Sequence, residues 1–154
     1  MGGPKFIQTF TRFPKEIFRV NNGADVIARV WEPGRRAYDI VANCGLVIPK
    51  ALDPMTYTPP NGVSMRPNSP YQQSLVSWRF TGRDLRVFAV PQGTELPKDL
   101  ILVHERSDHY SLQPATTMKL AQFNQKVTNF LKLNSTVFTK EEWLQAYPKA
   151  TETS

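Results

Sequence analysis

At 154 residues, 40% of them hydrophobic, the chain is sized for one compact domain around a single core. Its single cysteine excludes an internal disulfide and a multi-cysteine zinc site, and no apolar run reaches the roughly 18 to 20 residues of a membrane span. The net charge of +6 is concentrated in residues 1–50, where eight Lys and Arg stand against four Asp and Glu. Arg12, Lys15, Arg19, Arg29, Arg35 and Arg36 would form either a phosphate-facing surface or an ordinary solvated basic face. The start, Met1-Gly-Gly-Pro-Lys, lacks the apolar centre of a signal peptide, and Phe6 stands where myristoylation after Gly2 requires Ser or Thr. The expectation is therefore a cytoplasmic protein.

In chain order, residues 16–20 read as a strand entered after Pro14 and left at Asn21-Asn22-Gly23. Ile17 and Arg19 take one face, Phe18 and Val20 the other, and a surface Arg19 would pair with Glu16. Cys44 reads as a small buried apolar residue. Six prolines between 49 and 70 deny helix interior and central strand to most of that segment. Leu52, Met55 and Tyr57 argue against disorder, so it is expected to be an ordered loop walling a site, with Ser64 as a turn serine. Residues 72–80 fit a short helix better than a strand, closed by Thr81-Gly82-Arg83-Asp84.

Residues 87–90 form a β-branched and aromatic run stopped by Pro91 and turned by Gln92-Gly93. Residues 100–103 are continuously apolar, as in a central strand, and Glu105-Arg106-Ser107-Asp108 is expected as a polar turn holding solvated acids. The chain returns antiparallel from His109. Alternation along that strand puts His109 and Ser111 on one face and Tyr110 and Leu112 on the other. Met118, Leu120, Phe123, Val127, Phe130 and Leu131 recur at helical spacing, which predicts a core-packing helix ending near Asn134. Thr139-x-x-Glu142 is a capping box opening a last helix over 141–147, stopped by Pro148. One domain over 1–147 with a flexible tail over 148–154 follows. Neither a phosphate-binding glycine loop nor metal-ligand spacing is found; His104 and His109 lack a third ligand.

Three segments carry a resemblance. Gly93-Thr-Glu-Leu-Pro-Lys-Asp-Leu100, His109-Tyr-Ser-Leu-Gln-Pro114 and Met118 resemble, in order and spacing, a type VI secretion effector toxin family with an ADP-ribosyltransferase-like fold, together with its fungal relatives. Asp39-Ile-Val-Ala and Gly45-Leu46 are similar to another stretch of that family. Asn61-Gly-Val-Ser-Met65 is similar to its Gly-(Thr/Val)-Ser element. The likeness spans residues 16–133.

The resemblance implies an α+β fold with a split antiparallel β-sheet, a NAD cleft and flanking helices. It also implies transfer of ADP-ribose from NAD, as substrate, to an unidentified acceptor, with nucleic acid among the acceptor classes and an immunity protein as partner. Carried over by position, Arg19 would hold phosphate or ribose oxygens, Ser64 would orient the ribose or the nicotinamide amide, and His109 takes the place usually held by a glutamate. Gly62, Val63 and Tyr71 would complete the NAD contacts, with Tyr57 and Trp78 as further stacking candidates. ADP-ribosyl transfer passes through an oxocarbenium-like state, and a neutral imidazole does not match a carboxylate in stabilising it. Two other readings stay open. In one, His104, His109 and Glu105 serve as the acid-base groups of a metal-independent ribonuclease whose basic part holds RNA; in the other, the fold survives as an inactive binding domain.

Overall fold

The computed structural model describes residues 3–153; Met1 and Gly2 of the predicted domain and Ser154 of the predicted tail lie outside the described residues. Nine strands and three α-helices are described, and every strand pairing is antiparallel. The strands are β1 (Gln8–Phe10), β2 (Ile17–Asn22), β3 (Leu46–Val47), β4 (Val63–Met65), β5 (Leu85–Val90), β6 (Leu100–Arg106), β7 (His109–Pro114), β8 (Met118–Lys119) and β9 (Thr136–Phe138). The helices are α1 (Pro70–Ser74), which runs on into a π-helical turn at Leu75–Arg79, then α2 (Leu120–Asn134) and α3 (Lys140–Ala146).

These strands make a four-stranded sheet in the order β1-β6-β7-β4, a three-stranded sheet in the order β2-β5-β9, and the pair β3-β8. A single bridge couples the two larger sheets: Phe18 N–H donates to the Arg66 carbonyl at 2.7 Å and Arg66 N–H to the Phe18 carbonyl at 3.0 Å. The result is the split antiparallel sheet of an α+β protein, with β2 and β4 on either side of the split.

Strand alternation decides which core each residue joins. Ile17, Phe88 and Val90 face the main core, where Leu102, Leu112, Phe123, Val127 and Leu131 are fully buried by α2. Phe18, Val20, Val87 and Ala89 face a smaller core closed by Trp143 of α3 and Val76 of the π-helical turn. Arg19 therefore shares the face of Ile17 on β2, the strand that borders the split.

Helix α2 occupies the predicted stretch, although Met118 and Lys119 pair with β3 before it begins. The Thr139 capping box forms as expected, with Glu142 N–H donating to Thr139 Oγ1 and Thr139 N–H to Glu142 Oε1. No described helix is long and apolar enough to cross a membrane.

Four local expectations differ from the structure. The segment rich in proline is an ordered loop, but it contains strand β4, so Ser64 is a strand residue and not a turn serine. Cys44 is exposed: with Gly45 it forms the two-residue tip between Asn43 and Leu46, with φ of 53° and 76°, the positive-φ pair of a type I′ turn. The β6–β7 turn shrinks to Ser107-Asp108, which returns Glu105 and Arg106 to β6. The stretch after Tyr147 is anchored: Thr151 and Glu152 N–H both donate to the Asn68 carbonyl, and Lys15 pairs with Glu152 at 2.7 Å.

Candidate functional site

The split between the sheets is lined by two adjoining cavities of about 670 and 320 Å³ that share Arg29, Asp39 and Ser64. Three strands bring the principal side chains to their junction. β4 pairs with β7 so that Ser64 stands opposite Ser111, which puts the side chains of Ser64, Ser111 and His109 on one face. Ser64 Oγ lies 2.9 Å from His109 Nε2. From the other sheet, Arg19 donates through Nη1 to the Ser64 carbonyl at 3.0 Å and through Nε and Nη2 to Asn21 Oδ1. Arg19, Ser64 and His109, distant in sequence, thus form one connected row across the split.

The charge at this row is positive and incompletely matched. Burial pulls the Arg19 guanidinium down to about 10; Asp39 opposes that pull, and the neighbouring cations Arg29 and Arg66 add to it. It remains charged at neutral pH while donating only to neutral oxygens. Arg66, two residues beyond Ser64, is also lowered by burial, with Asp108 at 3.6 Å as its counter-ion and its Nε buried without a hydrogen-bond partner. Arg29 is different, because Asp39 takes its backbone N–H and its guanidinium and raises its pKa against a smaller effect of burial. Arg19 and Arg66 are therefore buried cations with capacity left for an anion, and Arg79, bonded only to the Ser74 hydroxyl, lines the same cavity.

Tyr71 lies on the wall of the larger cavity beneath two guanidiniums, Arg66 at 4.4 Å and Arg79 at 5.0 Å from its ring centroid. Gly62 lines the smaller cavity, where any Cβ would sit 2.0 Å from the Leu112 carbonyl oxygen; a side chain there would prise β4 off β7. Val63 turns its side chain fully into the core and lines neither cavity. Tyr57 is buried in a different role, donating its hydroxyl to Glu105 Oε2 at 2.6 Å. Trp78 is largely exposed, stacked with Arg79 at 4.2 Å. Of the other basic residues, Arg12 pairs with Glu95, Lys15 with Glu152 and Arg35 with Glu32. Glu16 accepts from the Tyr147 hydroxyl and not from Arg19.

Sequence reasoning passed over Arg66 and Arg79, and it placed Glu105 in a solvated turn. Arg66 follows Ser64 by two and would have shared its face had 63–66 been read as a strand. Glu105 is the extra residue of a bulge between His104 and Arg106, which leaves both Glu105 and Arg106 on the wall of the smaller cavity with His109. His109 Nδ1 sits 3.0 Å from Glu105 Oε1. His104, by contrast, lies flat on Tyr110 at 4.1 Å on the opposite face of the hairpin, so it does not join His109 in an acid-base pair.

A family model described as Tse2 ADP-ribosyltransferase toxin matches residues 15–143. The chain belongs to the Tse2 ADP-ribosyltransferase toxin family. The matched span runs from the residue before Glu16 to Trp143 and so takes in both walls of the cleft and the helices behind them. No curated protein matches the chain. For a Tse2 family member, the two-sheet cleft with a cation on one side and a hydroxyl–imidazole pair on the other sets the terms on which its chemistry is to be read.

Proposed function

We propose that the protein is a toxin that transfers ADP-ribose from NAD to an acceptor, using the cleft between its sheets. The observation that carries this reading is the position of Ser64, which touches Arg19 through its carbonyl and His109 through its hydroxyl at the junction of the two cavities. Cavities of this size lie within the roughly 300 to 1,000 Å³ range of small-molecule sites. Arg19 and Arg66 would take the NAD diphosphate, whose charge offsets the cost of burying two guanidiniums. Ser64 and His109 would face the nicotinamide riboside, and Tyr71 offers an aromatic face beside them.

In the transfer, the bond between ribose C1′ and the nicotinamide nitrogen breaks, nicotinamide leaves with the electron pair, and an acceptor heteroatom bonds to C1′ and loses its proton. His109 Nε2 is the group in the cleft suited to accept that proton, through Ser64 Oγ or directly. Glu105 supplies a negative charge directly behind the imidazole that takes the place of the glutamate usual in the wider ADP-ribosyltransferase fold. Family membership and the position of His104, stacked on Tyr110 away from His109, support this reading over a ribonuclease, whose second histidine would be His104.

The test is incubation of the purified protein with NAD labelled on its adenylate, with and without a cell lysate. Label entering macromolecules together with nicotinamide release, both lost in His109→Ala, is the expected result. Nicotinamide release without label transfer would make the protein a NAD glycohydrolase, and no turnover with loss of lysate RNA would overturn the reading.

A further inference from the structure

The two imidazoles of this hairpin face acceptors on different nitrogens. His104 Nε2 lies 2.6 Å from the Ser107 carbonyl oxygen, and a carbonyl only accepts, so Nε2 of His104 carries the hydrogen. His109 has the reverse surroundings. Its Nδ1 is buried with no hydrogen-bond partner in line, and its neighbour at 3.0 Å is the Glu105 carboxylate, which lies off the N–H line and when ionised also only accepts. Its Nε2 meets Ser64 Oγ at 2.9 Å, a group that can donate.

Glu105 is held firmly enough to impose this choice. It is 7% exposed, and the Tyr57 hydroxyl donates to its Oε2 at 2.6 Å. That hydroxyl has its direction fixed in turn, because Gln113 Nε2 donates to the Tyr57 oxygen at 2.7 Å and to Ser111 Oγ at 2.8 Å. Burial alone would raise the Glu105 carboxyl, but its contacts with His109 and Tyr57 outweigh burial and leave it below the ordinary range. The carboxylate is ionised at neutral pH.

We propose that Glu105 is a positioning residue that fixes neutral His109 in the Nδ1–H tautomer, so that Nε2 accepts the Ser64 hydroxyl hydrogen and the chain carries two histidines of opposite tautomer. A hydrogen set by one ring nitrogen's partner determines what the other can do. Here it turns the lone pairs of Ser64 Oγ toward the cleft and leaves the imidazole ready to take that hydroxyl's proton. The inference deepens the proposed function and rests on it for its catalytic meaning, but the tautomer is read in the absence of NAD.

The experiment is a long-range proton–nitrogen correlation spectrum of the ¹⁵N-labelled protein, recorded over a pH series and read where the ring nitrogen shifts report a neutral imidazole, with His104→Asn used to assign the signals. The expected spectrum shows Nε2–H for His104 and Nδ1–H for His109; Nε2–H at both would overturn the proposal. Glu105→Gln adds a second arm. Because the Tyr57 hydroxyl donates, the glutamine oxygen would turn to Tyr57 and its NH₂ to His109 Nδ1, switching His109 to Nε2–H while His104 stays as it was. An unchanged His109 in that variant would equally overturn the role of Glu105. With NAD, the same variant is expected to lower kcat for nicotinamide release by about 10²-fold with KM within about twofold. A wild-type protein that shows the opposite tautomers but never turns over NAD would contradict the proposed function and leave the tautomer assignment standing.

Discussion

The two faces of the β6–β7 hairpin are made from alternate residues of the same short strands, yet they have little in common. On one face Leu102, Leu112 and Tyr110 are buried against the main core, and His104 stacks on Tyr110 with its ring nitrogen spent on a backbone carbonyl. On the other, Glu105, His109, Ser111 and Gln113 form a chain of polar contacts that reaches Ser64 and, through the Ser64 backbone, Arg19. A strand with period two can thus serve a core and a polar cleft at once, and a single bulge at Glu105 adds a carboxylate to the polar side without disturbing the apolar one. The dry face packs into the main core, and the other face carries the polar contacts of the cleft beside a small apolar cluster around Val103.

Substitutions on each face separate these roles. His109→Ala is expected to lower transferase turnover by about 10²- to 10⁴-fold with an unchanged circular dichroism spectrum, and Ser64→Ala to follow it. Leu112→Ala, three residues away on the dry face, should cost about 2 to 5 kcal/mol in denaturant unfolding while the surviving folded protein keeps its kcat. Loss of activity with full stability from Leu112→Ala would erase the distinction between the faces.

Arg19→Met tests the link from the hairpin to the opposite sheet. The guanidinium is buried at a cost and matched by no carboxylate of its own, so its removal should raise KM for NAD by about 10- to 100-fold with a melting temperature that holds or rises. A large fall in melting temperature would make Arg19 a structural residue that holds β4 to β2.

Acid provides a graded probe of the polar face. The Glu105 pKa is lowered on folding, so its stabilising contribution is fully present above the carboxylate's unfolded pKa and is lost as pH falls through the lower folded value. Unfolding free energy should therefore decline more steeply with acidification in the wild type than in Glu105→Gln; parallel curves would contradict the assignment. His104→Ala gives the smallest expected effect: less than about 1 kcal/mol of stability from the lost stacking, and no change in NAD turnover. A loss of NAD turnover matching that of His109→Ala would contradict the separation of the two faces.

Much of this architecture was legible in the sequence because it depends on local periodicity. Alternation from His109 to Leu112, the helical stripe from Phe123 to Leu131 and the Thr139 capping box each express a physical rule within a few residues. What was not legible depends on long-range pairing. Three residues of strand between Pro60 and Pro67 leave no periodic trace, so β4 emerges only through its register with β7, and with it the placement of Ser64 and Arg66. Glu105-Arg106-Ser107-Asp108 has the composition of a solvated turn, but two residues suffice to reverse the chain, and the tertiary contacts of Tyr57 and His109 draw Glu105 inward. Cys44 was misread for a related reason: its burial was inferred from its chemistry, whereas its place follows from the turn it makes with Gly45.

The central claim, that one cleft spanning both sheets binds NAD with its diphosphate at Arg19 and its scissile bond at Ser64 and His109, is tested most directly by a crystal structure with a carba-NAD analogue. Its ribose ring oxygen is replaced by methylene, so it cannot form the oxocarbenium ion and stays intact. The account predicts diphosphate oxygens within hydrogen-bond distance of the Arg19 guanidinium and the anomeric carbon beside Ser64 Oγ and His109 Nε2. A bound analogue with its diphosphate away from Arg19, or its nicotinamide bond away from His109, would contradict it.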